Sequence, residues 1–353
     1  MTPQHVVVVS KVFVVFGAIL GMVLFIIWFE RRAVALMQSR LGPNRWGPFG
    51  ILTSLADGVK LFFKEPVTPV TVDKITYFAA PIISLVPAFL AFAAIPFGTG
   101  VTIGGQRVTF EIADLNIGLL WILAMGSLAV YGVVLAGWSS GSKYPLLGGI
   151  RSSAQMISYE IALSLSLVPI VVYAGTLSMR GIVEAQAGFY GDISWLPSWL
   201  DGIGRIIPRW NVVIHLPAFL IFLMAGVAET NRAPFDLPEA ETELVAGFHT
   251  EYSGIKFAMF FLAEYVHVVT ISAMAALLFL GGWDGPKISF LPWVWPLVYF
   301  MSKTFFFVFL FVWLRATMPR LRYDSLMAFG WKFLIPAALV WLFVSSALTV
   351  VKI

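Results

Sequence analysis

Eight runs of apolar residues, near 11–29, 76–97, 115–137, 155–174, 211–228, 255–281, 292–316 and 331–351, set the terms on which this chain can fold. Each approaches or exceeds the length a helix needs to cross a hydrocarbon layer roughly 30 Å thick. Inside such a layer no water meets the backbone N–H and C=O groups, so each run is expected to satisfy them internally as a helix. The expected fold class is all-α, a polytopic transmembrane bundle of eight spans forming a single membrane domain over 1–353. Composition agrees: 59% of the residues are hydrophobic and 12% charged, about half the charged share of a soluble domain. Cysteine is absent, which rules out disulfides and thiolate-ligated zinc or iron–sulfur centres within the chain. The histidines, His5, His215, His249 and His267, lack a metal-ligand spacing, and no metal site is expected. The first run continues to Phe29 and ends in Glu30-Arg31-Arg32 without a small-residue cleavage pattern, so it reads as a span and not as a signal peptide.

Basic residues set the orientation. Loops 30–75, 138–154, 229–255 and 315–332 hold most of the Lys and Arg, including Arg31, Arg32, Arg40, Arg45, Lys143, Arg151, Arg315, Arg320 and Arg322. By the positive-inside rule these loops are cytoplasmic and both termini lie outside. In the first of them, Leu52, Leu55, Val59, Phe62 and Phe63 recur at helical spacing with Asp57, Lys60 and Lys64 opposite, the pattern of an amphipathic helix at the cytoplasmic boundary. On the outer side, two short strands flank Gly104-Gly105, a β-hairpin signal. A short helix is expected near 178–187, followed by Trp195, Trp199 and Trp210, which suit an interfacial belt.

The stretch from Glu229 to Glu243 (ETNRAPFDLPEAETE) packs Glu229, Asp236, Glu239, Glu241 and Glu243 around a single arginine, Arg232. Part of this fits a helix start, with Asp236 as cap and Glu239 in the first turn. That leaves Glu229, Glu241 and Glu243 unexplained. Glu239 and Glu243 are four apart and share a helix face, where two carboxylates repel; in a partly dry site such pairs can pass protons. Glu160, Glu264 and Lys303 fall inside apolar runs. An ionisable group there costs several kcal/mol unless it faces a polar interior. With Glu229 they are expected to form a polar track leading in from the cytoplasmic side, although each could instead be half of a structural ion pair. His249 and His267 read as packing residues.

Four long motifs carry a family resemblance: ERRAVALMQSRLGPNRWGPFGILTSLADGVKLFFKE (30–65), GSKYPLLGGIRSSAQMISYE (141–160), AETNRAPFDLPEAETELVAGFHTEYSGIKFAMFFLAEY (228–265) and RATMPRLRYDSLMAFGWK (315–332). In content and order they resemble the H-subunit (mitochondrial subunit 1) family of proton-pumping NADH:quinone oxidoreductase, respiratory complex I. The resemblance implies a membrane subunit that builds the quinone chamber together with two hydrophilic subunits of the peripheral arm, and the bacterial style of the flanking loops points to a bacterial plasma (inner) membrane. Quinone, ubiquinone or menaquinone, would be the substrate, with FMN and iron–sulfur clusters in partner subunits only. Other complex I subunits of the membrane arm and lipid would be its neighbours. It further implies that Glu160, Glu229, Asp236, Glu239, Glu241, Glu243 and Glu264 relay protons or charge, that Arg232 balances them, and that Arg31, Arg40 and Asp57 lie at the chamber mouth and quinone path. Ser127 stands where some members carry a glutamate, and Ser325 follows Arg322-Tyr323-Asp324 where glutamine is common. The rival readings are a membrane anchor of an energy-converting hydrogenase, a self-sufficient ion transporter centred on Glu264 and Lys303, and a purely structural anchor.

Overall fold

A computed structural model describes residues 3–103, 106–189, 208–236, 245–286 and 288–351. The helices are α1 (Pro3–Met37), α2 (Leu52–Phe63), α3 (Lys74–Ala91), α4 (Gly118–Ser139), α5 (Lys143–Ala174), α6 (Met179–Ala185), α7 (Asn211–Ile214), α8 (Leu216–Glu229), α9 (Ile255–Phe279), α10 (Val294–Thr317), α11 (Tyr323–Phe329) and α12 (Ile335–Val351). Among the described residues, seven helical stretches are long and apolar enough to cross a membrane, α11 and α12 counting as one through a π-helical turn at Gly330–Leu334. This is a multi-pass membrane protein. Two short strands, β1 (Val101–Ile103) and β2 (Gln106–Val108), pair antiparallel with Val101 opposite Val108.

Three boundaries depart from the sequence reading. The first helix does not stop at the apolar run but continues through Glu30, Arg31 and Arg32 to Met37, so those charges sit on a helix and not in a loop. The expected loop 138–154 is mostly helical: after a turn at Gly141 (φ 64°), α5 begins at Lys143. Pro145 is tolerated there because first-turn amides need no intrahelical partner. The fifth run, 211–228, breaks at His215, and Pro217 starts a new helix, α8, of 14 residues. At 1.5 Å per residue that is about 21 Å, short of a full crossing.

Small residues set the helix spacing, as is usual where lipid and protein are equally apolar. A Cβ on Gly132 of α4 would come 2.7 Å from Ser84 of α3, and one on Gly137 would come 3.1 Å from Gly149 of α5. The core centres on α9, 78% of whose most apolar window is buried, against 17% for α1 and for the last span. Although α1 flanks this core, its Glu30 is buried against it. The loop after α8 is pinned on α3 by stacked Tyr77 and Tyr252 rings 4.2 Å apart, with Tyr77 Oη donating to the Glu251 carbonyl at 2.7 Å. On α2, Leu52, Leu55, Val59, Phe62 and Phe63 are all exposed, and only Ser54 is buried.

Candidate functional site: a buried charge cluster

Five residues from four elements converge on one knot of charge. Glu30 (α1) is 5% exposed and Arg232, just beyond α8, 7% exposed. Arg232 Nη1 donates to both Glu30 oxygens at 3.0 and 3.1 Å, a forked contact, and Arg232 Nε lies 2.7 Å from Glu264 Oε1 on α9. Arg315 Nη1, from the end of α10, also bonds Glu30. Tyr265 Oη donates to Glu30 Oε2 at 2.7 Å, and the Arg232 guanidinium lies 4.2 Å from the centre of the Tyr265 ring. Two carboxylates thus face two guanidiniums, which lets charges persist away from water. Burial by itself would lower the Arg232 pKa, but Glu264 and then Glu30 more than offset it and hold it above the ordinary value.

A second group lies beside the first. His267 is three residues after Glu264 on α9 and therefore on the same face. Its Nε2 lies 3.2 Å from Glu229 Oε1, and the other Glu229 oxygen is buried with no hydrogen-bond partner among the described residues. Ser127 of α4 donates to Glu160 of α5, and both Glu229 and His267 act electrostatically on Glu160. Gly126 leaves the space between open: a Cβ there would sit 3.7 Å from Glu229 Oε1 and 3.9 Å from His267 Cε1. A cavity of about 80 Å³ reaches Glu229 and His267, with Asn231, His249 and Glu264 also among its polar lining.

Local structure explains the aim of Glu229 and Arg232. Gln155 of α5, fully buried, donates to the carbonyls of Ala228 and Phe235 at 2.8 Å each, and Asn231 takes φ 51° while its amide donates to Ser152 at 3.2 Å. Asn tolerates the left-handed region better than most residues, so the chain can leave α8 and turn Arg232 inward. Asp236, 6% exposed, faces Arg320 at 3.4 Å.

Of the residues singled out from sequence, Glu160, Glu229, Glu264, Arg232 and Asp236 gather at this end of the bundle. Arg31 and Asp57 pair with each other at 2.6 Å, each about half exposed, where α1 meets α2. Arg40 donates to Gln38 at 2.7 Å on the surface nearby. Lys303 is not part of the track. It lies at the opposite end of the bundle, where Nζ donates to the carbonyls of Leu280 and Asp284 at 2.7 Å each and sits 4.7 Å from the centre of the Trp210 ring, capping the end of α9. Glu239, Glu241 and Glu243, with the helix start expected at Asp236, and Trp195 and Trp199 lie outside the described residues. Sequence reasoning missed Glu30, Tyr265 and the inward role of Arg315, and it set His267 aside. The three-residue spacing of Glu264 and His267 was the available signal. Among the described residues no group of His, Asp and Glu is arranged to hold a metal ion.

Long apolar helices around a buried, nearly balanced knot of acids and arginines define a class: multi-pass membrane proteins with an ionisable interior. The family model described as NADH dehydrogenase matches residues 10–346. Among curated relatives, the H subunit of NADH-quinone oxidoreductase from Frankia alni is 54% identical over 341 residues, 95% of this chain and 71% of that protein. The protein of the same description from Frankia casuarinae is 55% identical over 339 residues, again 95% and 71%. The chain belongs to the NADH dehydrogenase family.

Proposed function

We propose that this chain is a membrane subunit of a proton-translocating NADH-quinone oxidoreductase, respiratory complex I, in a bacterial plasma membrane. There it builds the quinone chamber with peripheral-arm subunits and couples quinone reduction to proton movement through carboxylates. One observation carries this reading: Glu229, Glu160, Glu264 and Glu30 are drawn from four different helices to one end of the bundle, Glu30 and Glu229 buried and Glu160 and Glu264 partly so, with Glu229 and Glu264 on the wall of a cavity. A chain that served only as an anchor would have no use for so costly a convergence. The quinone tail would lie against apolar helix surface, with α2 resting its exposed apolar face on the membrane and the Arg31–Asp57 pair at the chamber mouth. Ubiquinone or menaquinone fits equally.

The coupling is electrostatic. Adding charge to a quinone headgroup in a poorly screened cavity changes how tightly neighbouring carboxylates hold protons. Arg232 spans Glu30 and Glu264, so a shift of its guanidinium towards one acid releases the other. Asp236, Glu239, Glu241 and Glu243 belong to the same loop and would extend the relay into the chamber. NADH oxidation, FMN and iron–sulfur clusters belong to partner subunits. The whole chain works as one membrane domain of eight spans, with α7 and α8 together supplying the fifth inside a protein-lined bundle, both termini and the hairpin on the outer side, and the charge knot near the cytoplasm.

The test is Glu229→Gln in the assembled complex. Quinone reduction and proton pumping should fall together by about 100-fold or more, the scale of losing one positioned proton carrier. An intact variant that reduces quinone and pumps like the parent would reduce the site to a structural ion-pair cluster.

A further inference from the structure

Away from the charge knot, α1 and α10 enclose a cleft of about 460 Å³ at the hairpin end of the bundle. Its walls are almost wholly apolar: Val15, Ala18 and Met22 of α1 line one side, Phe300 and Met301 of α10 the other, and Ala273 of the buried helix α9 lies at the floor. The cleft is blind. Past Met22, the rings of Phe25 and Phe29 meet those of Phe305 and Phe309 at centroid distances between 4.9 and 6.3 Å and close α1 on α10. At the mouth, Lys11 Nζ donates to Thr109 Oγ1 and to the Glu111 carbonyl at 3.2 Å each. An ammonium carries three N–H donors, so both neutral oxygens together leave one for a further acceptor. The Glu111 carboxylate turns instead to Arg180, 3.2 Å away. Trp293, exposed at the start of α10, marks headgroup depth at this same end.

Depth and volume select the occupant. From Ser10 to Met22 the α1 wall runs about 18 Å at about 1.5 Å per residue, close to one leaflet of a hydrocarbon layer roughly 30 Å thick. A transmembrane helix of a neighbouring subunit would need that full thickness and a bed for a body about 10–12 Å across. The aromatic clasp bars its way after little more than half the distance. The volume instead falls in the range of small-molecule sites, about 300–1,000 Å³, and a packed interior does not keep empty voids of this size. The long, thin apolar molecule that a bilayer supplies is a lipid tail. We propose that the cleft holds one acyl chain of a phospholipid from the leaflet on the hairpin side, with the Lys11 ammonium bonded to its phosphate. The lipid then acts as a packing element, filling the space where α1 and α10 do not touch and fixing the angle between them. It lies at the end of the bundle opposite the carboxylates and does not depend on the relay.

The experiment uses the whole complex in vesicles containing a phosphatidylcholine with a photoreactive diazirine midway along one acyl chain, and maps the labelled peptides after illumination. The expected result is heavy labelling of α1 and α10 around Val15, Ala18 and Met301, above that of the lipid-exposed face of α12. Ala18→Phe fills the cleft and should bring this labelling down to the α12 level while NADH:quinone turnover stays that of the parent. Lys11→Gln should lower it by roughly two- to fivefold, the scale of one partly exposed charge contact. A diacylglycerol with the same diazirine chain lacks the phosphate, so its labelling should not change with Lys11→Gln. Labelling that Ala18→Phe leaves unchanged would reduce the lipid to the ordinary bilayer around the complex and overturn the site. Absence of label from α1 and α10 would mean that a neighbouring subunit covers the cleft, which overturns it equally. An equal loss of both probes in Lys11→Gln would overturn the phosphate contact. If Ala18→Phe does not assemble, Ala18→Leu adds less bulk and is read in the same way.

Discussion

Arg232 is the residue on which most of the site depends, since it is the shared partner of Glu30 and Glu264. Replacing it with methionine keeps bulk but takes the shared arginine from the buried Glu30, which retains Arg315, and from the partly buried Glu264. Breaking a buried pair by removing one partner costs about 3–5 kcal/mol, so Arg232→Met should sharply lower the thermal midpoint of the solubilised complex. Adding Glu264→Gln should recover part of that loss, because one of the two carboxylates that Arg232 balanced is then neutral. Equal midpoints for the single variant and the parent would mean the pair contributes nothing to stability. At this scale the sequence was informative about which acids matter and poor about what they touch. Glu160, Glu229 and Glu264 stand out because charge inside an apolar run has to be explained by position. Glu30 did not, because it closes its run and reads as the boundary, whereas the helix carries on past it and turns it inward. Its partner lies 202 residues away, and no local pattern encodes a pairing at that separation.

Among the elements, α5 shows what apolar runs reveal and what they conceal. The run 155–174 marks its lipid-depth portion, while the preceding turns, rich in glycine and serine, read as a loop. They are helical because their small residues face other backbone. A Cβ at Gly148 would come 2.7 Å from Gly247 Cα and 2.9 Å from the Phe248 amide nitrogen. Neither backbone can step aside easily, so Gly148→Ala should cost about 1–3 kcal/mol, the range of overpacked sites, and should weaken activity by displacing Phe248 and His249 from the cavity wall. Gly58 in α2 has open space around its Cα and an ordinary helical φ, so Gly58→Ala should be neutral or stabilising by up to about 1 kcal/mol. Thermal inactivation of the two variants side by side checks the contrast; equal behaviour would remove the close approach at Gly148 as a constraint. The amphipathic period of α2 was readable because its apolar face, exposed along one side of a single helix, needs no distant partner to show in the sequence. The break at His215 was not, because α8 lies among protein side chains and need not meet the length that lipid demands.

For the whole molecule, the charge asymmetry of the loops predicts an orientation that can be measured directly. The chain has no cysteine, so a single introduced thiol reports its own location. Glu65→Cys, beyond α2, should react with an impermeant maleimide only in vesicles whose cytoplasmic face is outward, and Asp114→Cys only in vesicles of opposite sense. The reverse pattern would overturn the proposed topology. Class and family were legible at this scale because long apolar runs, loop charge and long motifs are properties of the chain as a whole. The tertiary knot was not, because it joins the first helix to the last third of the sequence. That separation has a consequence for biosynthesis. Glu30 leaves the ribosome with the first helix, but Arg232 and Arg315 follow 202 and 285 residues later, roughly 10 to 60 s at ordinary elongation rates of about 5–20 residues per second. Throughout that interval the leading helix must hold its carboxylate protonated or at the headgroup level, and it can be latched into the bundle only when the distal arginines arrive. A nascent chain cut short within α8, before Arg232, would therefore reach the membrane with its first helix unfastened, a state that membrane quality control could recognise by an unpaired acid at the bilayer edge.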